Sequence, residues 1–450
     1  MWATAVLGKA RFPDARLHQR AISFLAQQSD RPGQGILAAS PRPAAAKGNY
    51  RLLENGRVKP DHFWEPIHEY TGQRLRHAER IVAIQDTTTF MFPHLHETVG
   101  LGTADREVEE ALWMHSGLAV RPNGEVLGLV HNQVWARPVE EFHKAEKRKQ
   151  LPIEKKESFK WIRGTRAATA LQRKYNSTAK VVHVFDSEGD IHEVFEEILK
   201  LGDEAVIRCG RDRSVEGPYG HIRSTLAAQP VLDRYVVDVP REKGKPARQA
   251  RVELHSTSLV LHPKSAYPGR KPLAINALWV HEPDPPPGVE PLDWVLLTML
   301  PVGTADECQE VVALYKLRWL IEDFHLILKS GCHLEDTQLK TAERIEELAA
   351  LLSAVAVRIL QLRQSARTEP DSPCTDVLSE DEWRVLWMYF HEPVVPSGLP
   401  PPTTREAVRM IGQLGGHLGR KGDGMPGVRV LWRGWITLQI LIDGYKLAQG

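Results

Sequence analysis

The chain has 450 residues, 42% hydrophobic and 26% charged, with 58 Lys and Arg against 57 Asp and Glu. That composition excludes a disordered or fibrous protein, supplies a sizeable core and suggests about three domains. A formal net charge of +1 gives no bulk sign of a polyanion-binding protein, so any such role has to come from local charge.

In chain order, the first 60 or so residues read mainly as helix, with RLHQRAISFLAQQ the clearest amphipathic piece. The N-terminus lacks the long apolar stretch of a signal peptide. Two short β-branched runs, IVAI at 81–84 and VVHVF at 181–185, are candidates for central strands. Residues 144–180 hold twelve Lys or Arg against three acids, and 241–251 hold five against one. Such blocks are commonly solvated surface, yet they suit a phosphate footprint. Residues 228–300 carry β-rich segments (RYVVDV, ARVELHSTSLVLH, LAINALWVH, DWVLLTML) and predict an inserted antiparallel sheet. From 304 to 365 the pattern is helical again. Its most apolar part, LAALLSAVAVRIL at 348–360, contains Arg358 and is too short to span a bilayer, so a core helix is expected. Beyond the Pro-rich break at 396–402, helix mixes with a Gly-rich loop. Cys209, Cys308, Cys332 and Cys374 lack zinc-ligand or disulfide spacing and are expected as reduced thiols of a cytoplasmic protein. These elements together give an α/β fold class.

The stretch YKLRWLIEDFHLILK, Tyr315 to Lys329, carries the densest chemistry. On a helix of about 100° per residue, Tyr315, Arg318, Glu322 and Lys329 share a stripe roughly 60° wide, opposite Leu320, Ile321, Phe324 and Leu328. Taken alone, Arg318 and Glu322 make an ordinary i,i+4 pair on a solvated face. Each candidate strand, however, ends in an acid, Asp86 after IVAIQ and Asp186 after VVHVF. An aspartate at a strand end is commonly a turn or cap residue. Three carboxylates from separate segments would instead make a hard oxygen site for Mg²⁺ or Mn²⁺, and paired ions suit phosphoryl transfer. His94 and His96 lack a convincing third ligand, and no Walker loop or nucleophile elbow occurs.

The series Tyr315-x₂-Arg318-x₃-Glu322-x₆-Lys329 resembles the YREK signature of the IS-four family of DDE transposases. IQDTTTF resembles that family's first-aspartate motif and VFDSEGDIHEVF its second. RFPDARLHQR, GNYRLLEN, LGLVHNQVWARP, LDWVLLT, VAVRILQLR and GGHLGRKGDGMPG extend the resemblance along nearly the whole chain, in the branch containing the Tn-five element.

The resemblance implies a ribonuclease-H-like mixed sheet with flanking helices and an inserted antiparallel β subdomain at about 210–300, plus helical N- and C-terminal regions. It implies an N-terminal DNA-binding region at 1–60, a catalytic domain at 61–365 and a C-terminal dimerisation region at 366–450. Asp86, Asp186 and Glu322 are then the catalytic ligands of Mg²⁺ or Mn²⁺, as two ions. Tyr315, Arg318 and Lys329 match phosphate-holding positions, Trp294 the aromatic under a flipped base, and Arg208 a further active-site arginine. Arg20 and Arg51 match contacts to transposon-end DNA. The implied protein is a cut-and-paste transposase acting through a DNA hairpin. Its partners are transposon-end DNA, target DNA and a second copy of itself, with no membrane, at the bacterial nucleoid in the cytoplasm. Two positions depart from the family: Ser187 stands where Arg usually follows the second aspartate, and Leu326 where Lys is common. A non-catalytic DNA-binding relative or inhibitor of transposition would bind ends without nicking, and a nuclease of the same fold would cut without joining. Unpaired acids beside phosphates argue against the pure binder.

Overall fold

The computed structural model describes residues 2–104, 110–138, 151–239, 248–263, 270–420 and 422–449. Most of the basic block at 241–251, and positions 144–150 of the block at 144–180, lie outside the described residues. The chain folds into two compact units, one of Met1–Arg76, Thr87–Lys144 and Leu320–Gly450, the other of His77–Asp86 and Ala145–Trp319. Strands β1 (Arg80–Met91), β2 (Ala111–Val120), β3 (Val126–Trp135), β4 (Lys180–Phe185), β5 (Glu204–Arg208), β6 (Asp233–Val239), β7 (Arg248–Leu261), β8 (Leu273–His281) and β9 (Asp293–Thr298) form a mixed sheet. Their order is β3-β2-β1-β4-β5-β9-β8-β7-β6.

In the unit containing Ala145–Trp319, the first half of β1 pairs parallel with β4, from Arg80 opposite Lys180 to Ile84 opposite Val184. Both strands are buried there, Ile81–Ile84 all apolar and Val181–Phe185 apolar but for His183, whose ring bonds Asp203 at 3.0 Å, as suits parallel strands covered on both faces. β5 continues the parallel set, and β9 adds antiparallel with Arg208 opposite Leu296. The expected β-rich insertion is present but is not a separate sheet. β9 pairs with β8, β8 with β7 and β7 with β6, so the inserted strands extend the central sheet. Joining β5 to β9 also satisfies backbone groups that a bare edge would leave open. The helix Phe159–Tyr175 covers this sheet. Its Gly164 sits so close to Gln85 that a Cβ would lie 2.2 Å from the Gln85 Oε1, and its Trp161 ring centroid lies 5.0 Å from that of Phe185.

In the other unit, Asp14 starts the helix Ala15–Asp30 by accepting from the Arg16 and Leu17 amides, each at 3.0 Å. β2 and β3 form a hairpin turned at Asn123-Gly124, where Gly124 takes φ +92° and its amide bonds the Arg121 carbonyl at 2.9 Å. Asn-Gly between apolar runs is a strong hairpin signal, yet the sequence reading assigned no strands there. The helix Ala342–Thr368 is buried along most of its length, as expected of a core helix. No described helix is long and apolar enough to cross a membrane. Capping boxes at Ser379/Glu382 and Thr403/Glu406 start the helices Glu380–Phe390 and Thr404–Leu414, which pack with Val428–Gln449 around Leu386, Ile411 and Trp435. All four cysteines are free thiols.

Candidate active site

Asp86 does not end its strand. β1 continues to Met91, because the β-branched Thr87–Thr89 and Phe90 favour extended backbone. Pairing with β4 stops two residues before Asp86, at Ile84, so its carboxylate leaves the sheet where the ladder ends. Asp186 follows β4 directly and caps the short turn Ser187–Gly189, accepting from the Glu188 amide at 2.9 Å. Burial raises the pKa of the Asp186 carboxyl, the Asp86 carboxylate adds to that push, and the Glu188 amide and Arg318 oppose it. The two aspartates are therefore close enough to repel.

Tyr315 to Lys329 is not one helix. The helix Ala305–Lys316, started by a Thr304/Glu307 capping box, stops at a tight turn in which the Leu317 amide bonds the Leu314 carbonyl at 3.2 Å and the Arg318 amide bonds that of Tyr315 at 3.0 Å. A second helix, Trp319–Leu326, follows, and then a wider π-type turn at Ile327–Gly331. These i→i+3 bonds interrupt the single helix expected over Tyr315–Lys329. Tyr315 is 2% exposed and Arg318 8%, buried rather than presented to solvent.

The turn instead folds Tyr315 and Arg318 back toward the aspartates. Burial pushes the Tyr315 phenol up, against the pull of Arg318 and Arg208, while Asp186 adds to the rise. Trp294, part-buried on β9, meets the Tyr315 ring edge-on at 5.3 Å, and the Arg318 guanidinium lies 4.7 Å from the Trp319 ring centroid. One unit thus gathers Asp86, Asp186, Arg208, Trp294, Tyr315 and Arg318 around one electrostatic neighbourhood.

The remaining expected residues belong to the other unit. Glu322 lies in the first turn of Trp319–Leu326, and Lys329 holds its ammonium 5.5 Å from the Phe90 ring centroid. The Arg20 guanidinium crosses Gly48 of the helix Pro43–Leu53, where a Cβ would meet its Cζ at 2.9 Å, and Arg51 stands exposed about one turn further along the helix Pro43–Leu53. Asp190 is committed elsewhere: it accepts from Arg213 and from the Gly210 amide at 2.9 Å, tying the segment after β5 to the turn after Asp186. His94 and His96 bond the Thr337 carbonyl and Glu110, as neighbours in sequence without a shared ligand. Among the described residues no three His, Cys, Asp or Glu side chains form a ready-made metal cage. The donor chemistry nevertheless fits a hard divalent cation, because Asp86 and Asp186 are oxygen donors whose mutual repulsion such an ion would relieve.

A family model described as the transposase DDE domain matches residues 124–358, more than half of the chain. The chain is a DDE transposase. A transposase DNA-binding model matches residues 1–58 of this transposase, and a Tn5 transposase dimerisation model matches 354–450. The transposase is therefore an enzyme whose DDE domain carries the ribonuclease-H-like fold, and its mixed sheet with flanking helices is the expected one. DNA is its partner, it carries a dimerisation region, and enzymes with this domain use divalent metal ions. Lys160 is buried on the helix Phe159–Tyr175, four residues before Gly164 and five before Thr165, which meets Gln85.

Proposed function

We propose that this transposase excises and reinserts its own element by cut-and-paste phosphoryl transfer, with Asp86, Asp186 and Glu322 as the carboxylates that hold Mg²⁺ or Mn²⁺, as two ions. The observation that carries the reading is the crowding of Asp86 and Asp186 beside Arg318 and Tyr315. When bound, the ions supply an activated attacking oxygen and stabilise the leaving one. Arg318, Arg208 and Lys329 bind backbone phosphates, and the buried Tyr315 phenol donates to a phosphate oxygen from a dry site. Trp294 offers its face to an unstacked base during hairpin formation, a contact worth about 1–3 kcal/mol per base. Arg20 and Arg51 hold transposon-end DNA. In this reading residues 1–60 bind ends, 61–365 cut and join them to target DNA, and 366–450 pair two copies.

The test is strand cleavage of DNA carrying the element's ends. The unaltered protein cuts in Mg²⁺ and joins the freed 3′ ends to a second duplex, and Asp186→Ala does neither. Full cleavage by Asp186→Ala would overturn the assignment.

A further inference from the structure

Asp190 closes the short turn that Asp186 opens, and its side chain is 1% exposed beside an Arg213 side chain that is 9% exposed. Taking two charges out of water is costly, and a buried ion pair adds little net stability, so its use lies in what it joins. Arg213 donates from Nη2 to Asp190 Oδ1 and to the Asp190 carbonyl, and from Nε to Oδ2 at 3.3 Å. The Gly210 amide donates to the same Oδ2 at 2.9 Å. Both carboxylate oxygens and the carbonyl oxygen of Asp190 are thus held by the segment that follows β5.

The two segments so joined are strand ends. Asp186 follows β4, and Arg208 ends β5 with its side chain exposed. The ladder between these strands stops at Phe185 opposite Ile207, one residue short of both, so sheet pairing does not fix Asp186 against Arg208. The Asp190–Arg213 bonds take over at that point. A Cβ on Gly210 would lie 2.8 Å from the Ser187 carbonyl oxygen, so the lack of a side chain lets the exit of β5 lie against the residue after Asp186. The outer side of the same segment is anchored too. The Cys209 amide bonds the Val295 carbonyl at 2.8 Å, next to Trp294, and the Ile222 amide bonds the Arg213 carbonyl at 3.1 Å. Arg208 and Asp186 both act on the Tyr315 phenol, which places them in one neighbourhood.

We propose that Asp190 and Arg213 are positioning residues of the transposase, a clamp that sets the Asp186 carboxylate and the Arg208 guanidinium at the separation the reacting phosphate needs. The inference rests on the reading of Asp186 and Arg208 as active-site residues. Asp190 has both carboxylate oxygens bonded, so it acts through the turn it closes rather than on the reacting atoms. A misplacement of about 1 Å in a reacting geometry lowers a rate by about a hundredfold. Removing a partner that orients a metal-binding carboxylate typically lowers affinity or activity by about tenfold to a hundredfold.

The experiment reads the full-length protein in two ways. The first is hydrogen–deuterium exchange without metal or DNA. Arg213→Met is expected to speed exchange in residues 208–213 and also in 186–190, because the clamp ties the two segments. Faster exchange in 208–213 alone overturns the proposal. The second is single-turnover cleavage of DNA carrying the element's ends, over a series of protein concentrations. Asp190→Asn and Arg213→Met should each lower the maximal rate by about tenfold to a hundredfold, with the half-saturating concentration unchanged. The double variant should be no slower than the slower single one, because both break the same clamp. A pair that merely stabilised the fold would leave the folded fraction cutting at the unaltered rate, and that result overturns the proposal. So do losses that multiply in the double variant, or a raised half-saturating concentration at the unaltered rate. Gly210→Ala pushes the segments apart without touching a charge and should slow cleavage likewise. Should the charge variants fail to fold, Gly210→Ala decides, an unaltered rate overturning the proposal. Full cleavage by Asp186→Ala would remove the catalytic reading underneath. A dead Asp186→Ala beside Asp190→Asn and Arg213→Met at full rate would sink this inference alone.

Discussion

Arg358 and Asp186 are both charges set inside the protein, but their surroundings differ. In the unit containing Leu320–Gly450, Arg358 donates to the Ser29 hydroxyl at 2.8 Å and to both Glu382 oxygens at 3.2 Å, with Trp435 and Trp2 ring centroids 4.8 and 5.1 Å from its Cζ. Glu382 also accepts from the Ser379 amide at 2.7 Å and from Gln439 at 3.3 Å. Each hydrogen-bond partner there is complementary, and the like charge nearby, Asp30, has its pKa pushed up to about 6 chiefly by burial, with Arg358 opposing the rise and Glu382 adding to it. In the other unit Asp186 faces a second carboxylate, with one amide and Arg318 as partial relief. A satisfied buried charge fixes a structure, whereas two crowded like charges store repulsion that a cation can release. The sequence motif lies at the second kind of place.

That contrast predicts opposite consequences for removing each charge. The largest effect is on chemistry: Asp186→Asn should lower metal-dependent cleavage by about a thousandfold or more, several kcal/mol of transition-state stabilisation. The same substitution should raise the thermal unfolding midpoint, because it removes the repulsion with Asp86 while an amide oxygen still accepts from Glu188. Loss of both activity and stability would erase the distinction between the two sites. The acid limb of cleavage should also move to lower pH as Mg²⁺ is raised, since proton and cation compete for the same oxygens.

At the other site, Arg358→Met should cost about 3–5 kcal/mol in denaturant unfolding by leaving Glu382 buried without its cation. A loss under about 1 kcal/mol would show that the cluster is not the anchor its geometry suggests. Glu347 sharpens the comparison further. It is 1% exposed, its Oε2 has no hydrogen-bond partner among the described residues, and burial, with help from Glu343, lifts its pKa to about 8. A folded-state value above the unfolded one means the folded protein holds the extra proton. The stabilisation is then complete below the ordinary glutamate pKa and is lost as pH rises through about 8. Glu347→Gln should therefore flatten the alkaline decline of the melting midpoint and gain on the order of 1–3 kcal/mol at high pH. An unchanged pH profile would contradict the burial argument. The smallest effect belongs to Arg166, half exposed and paired with Glu197 at 2.7 and 3.0 Å. Arg166→Ala should cost about 0.5 kcal/mol or less by the same unfolding assay, as an open surface pair does.

How much was legible from the sequence differs element by element. The largely apolar runs at 81–84 and 181–185 announced central strands, since only strands covered on both faces read that way. Asp86 and Asp186 were visible as the acids that follow them. The hairpin β2–β3 was missed although Asn123-Gly124 signals it, and the insertion was read as its own sheet because strand partners at a distance leave no local mark. The helix through Tyr315–Lys329 was drawn too long, since apolar periodicity does not register one tight turn.

The sequence by itself determined the two buried runs of the central sheet, the acids that come just after them and the spacing of Tyr315, Arg318, Glu322 and Lys329, because periodicity and turn chemistry act over a few residues. Tertiary structure alone decided that Tyr315 and Arg318 are buried beside Asp186, that β9 joins β5, and that Lys160 and Arg358 sit inside their units. Burial and charge proximity depend on segments more than a hundred residues apart, and those distances exist only once the chain has folded.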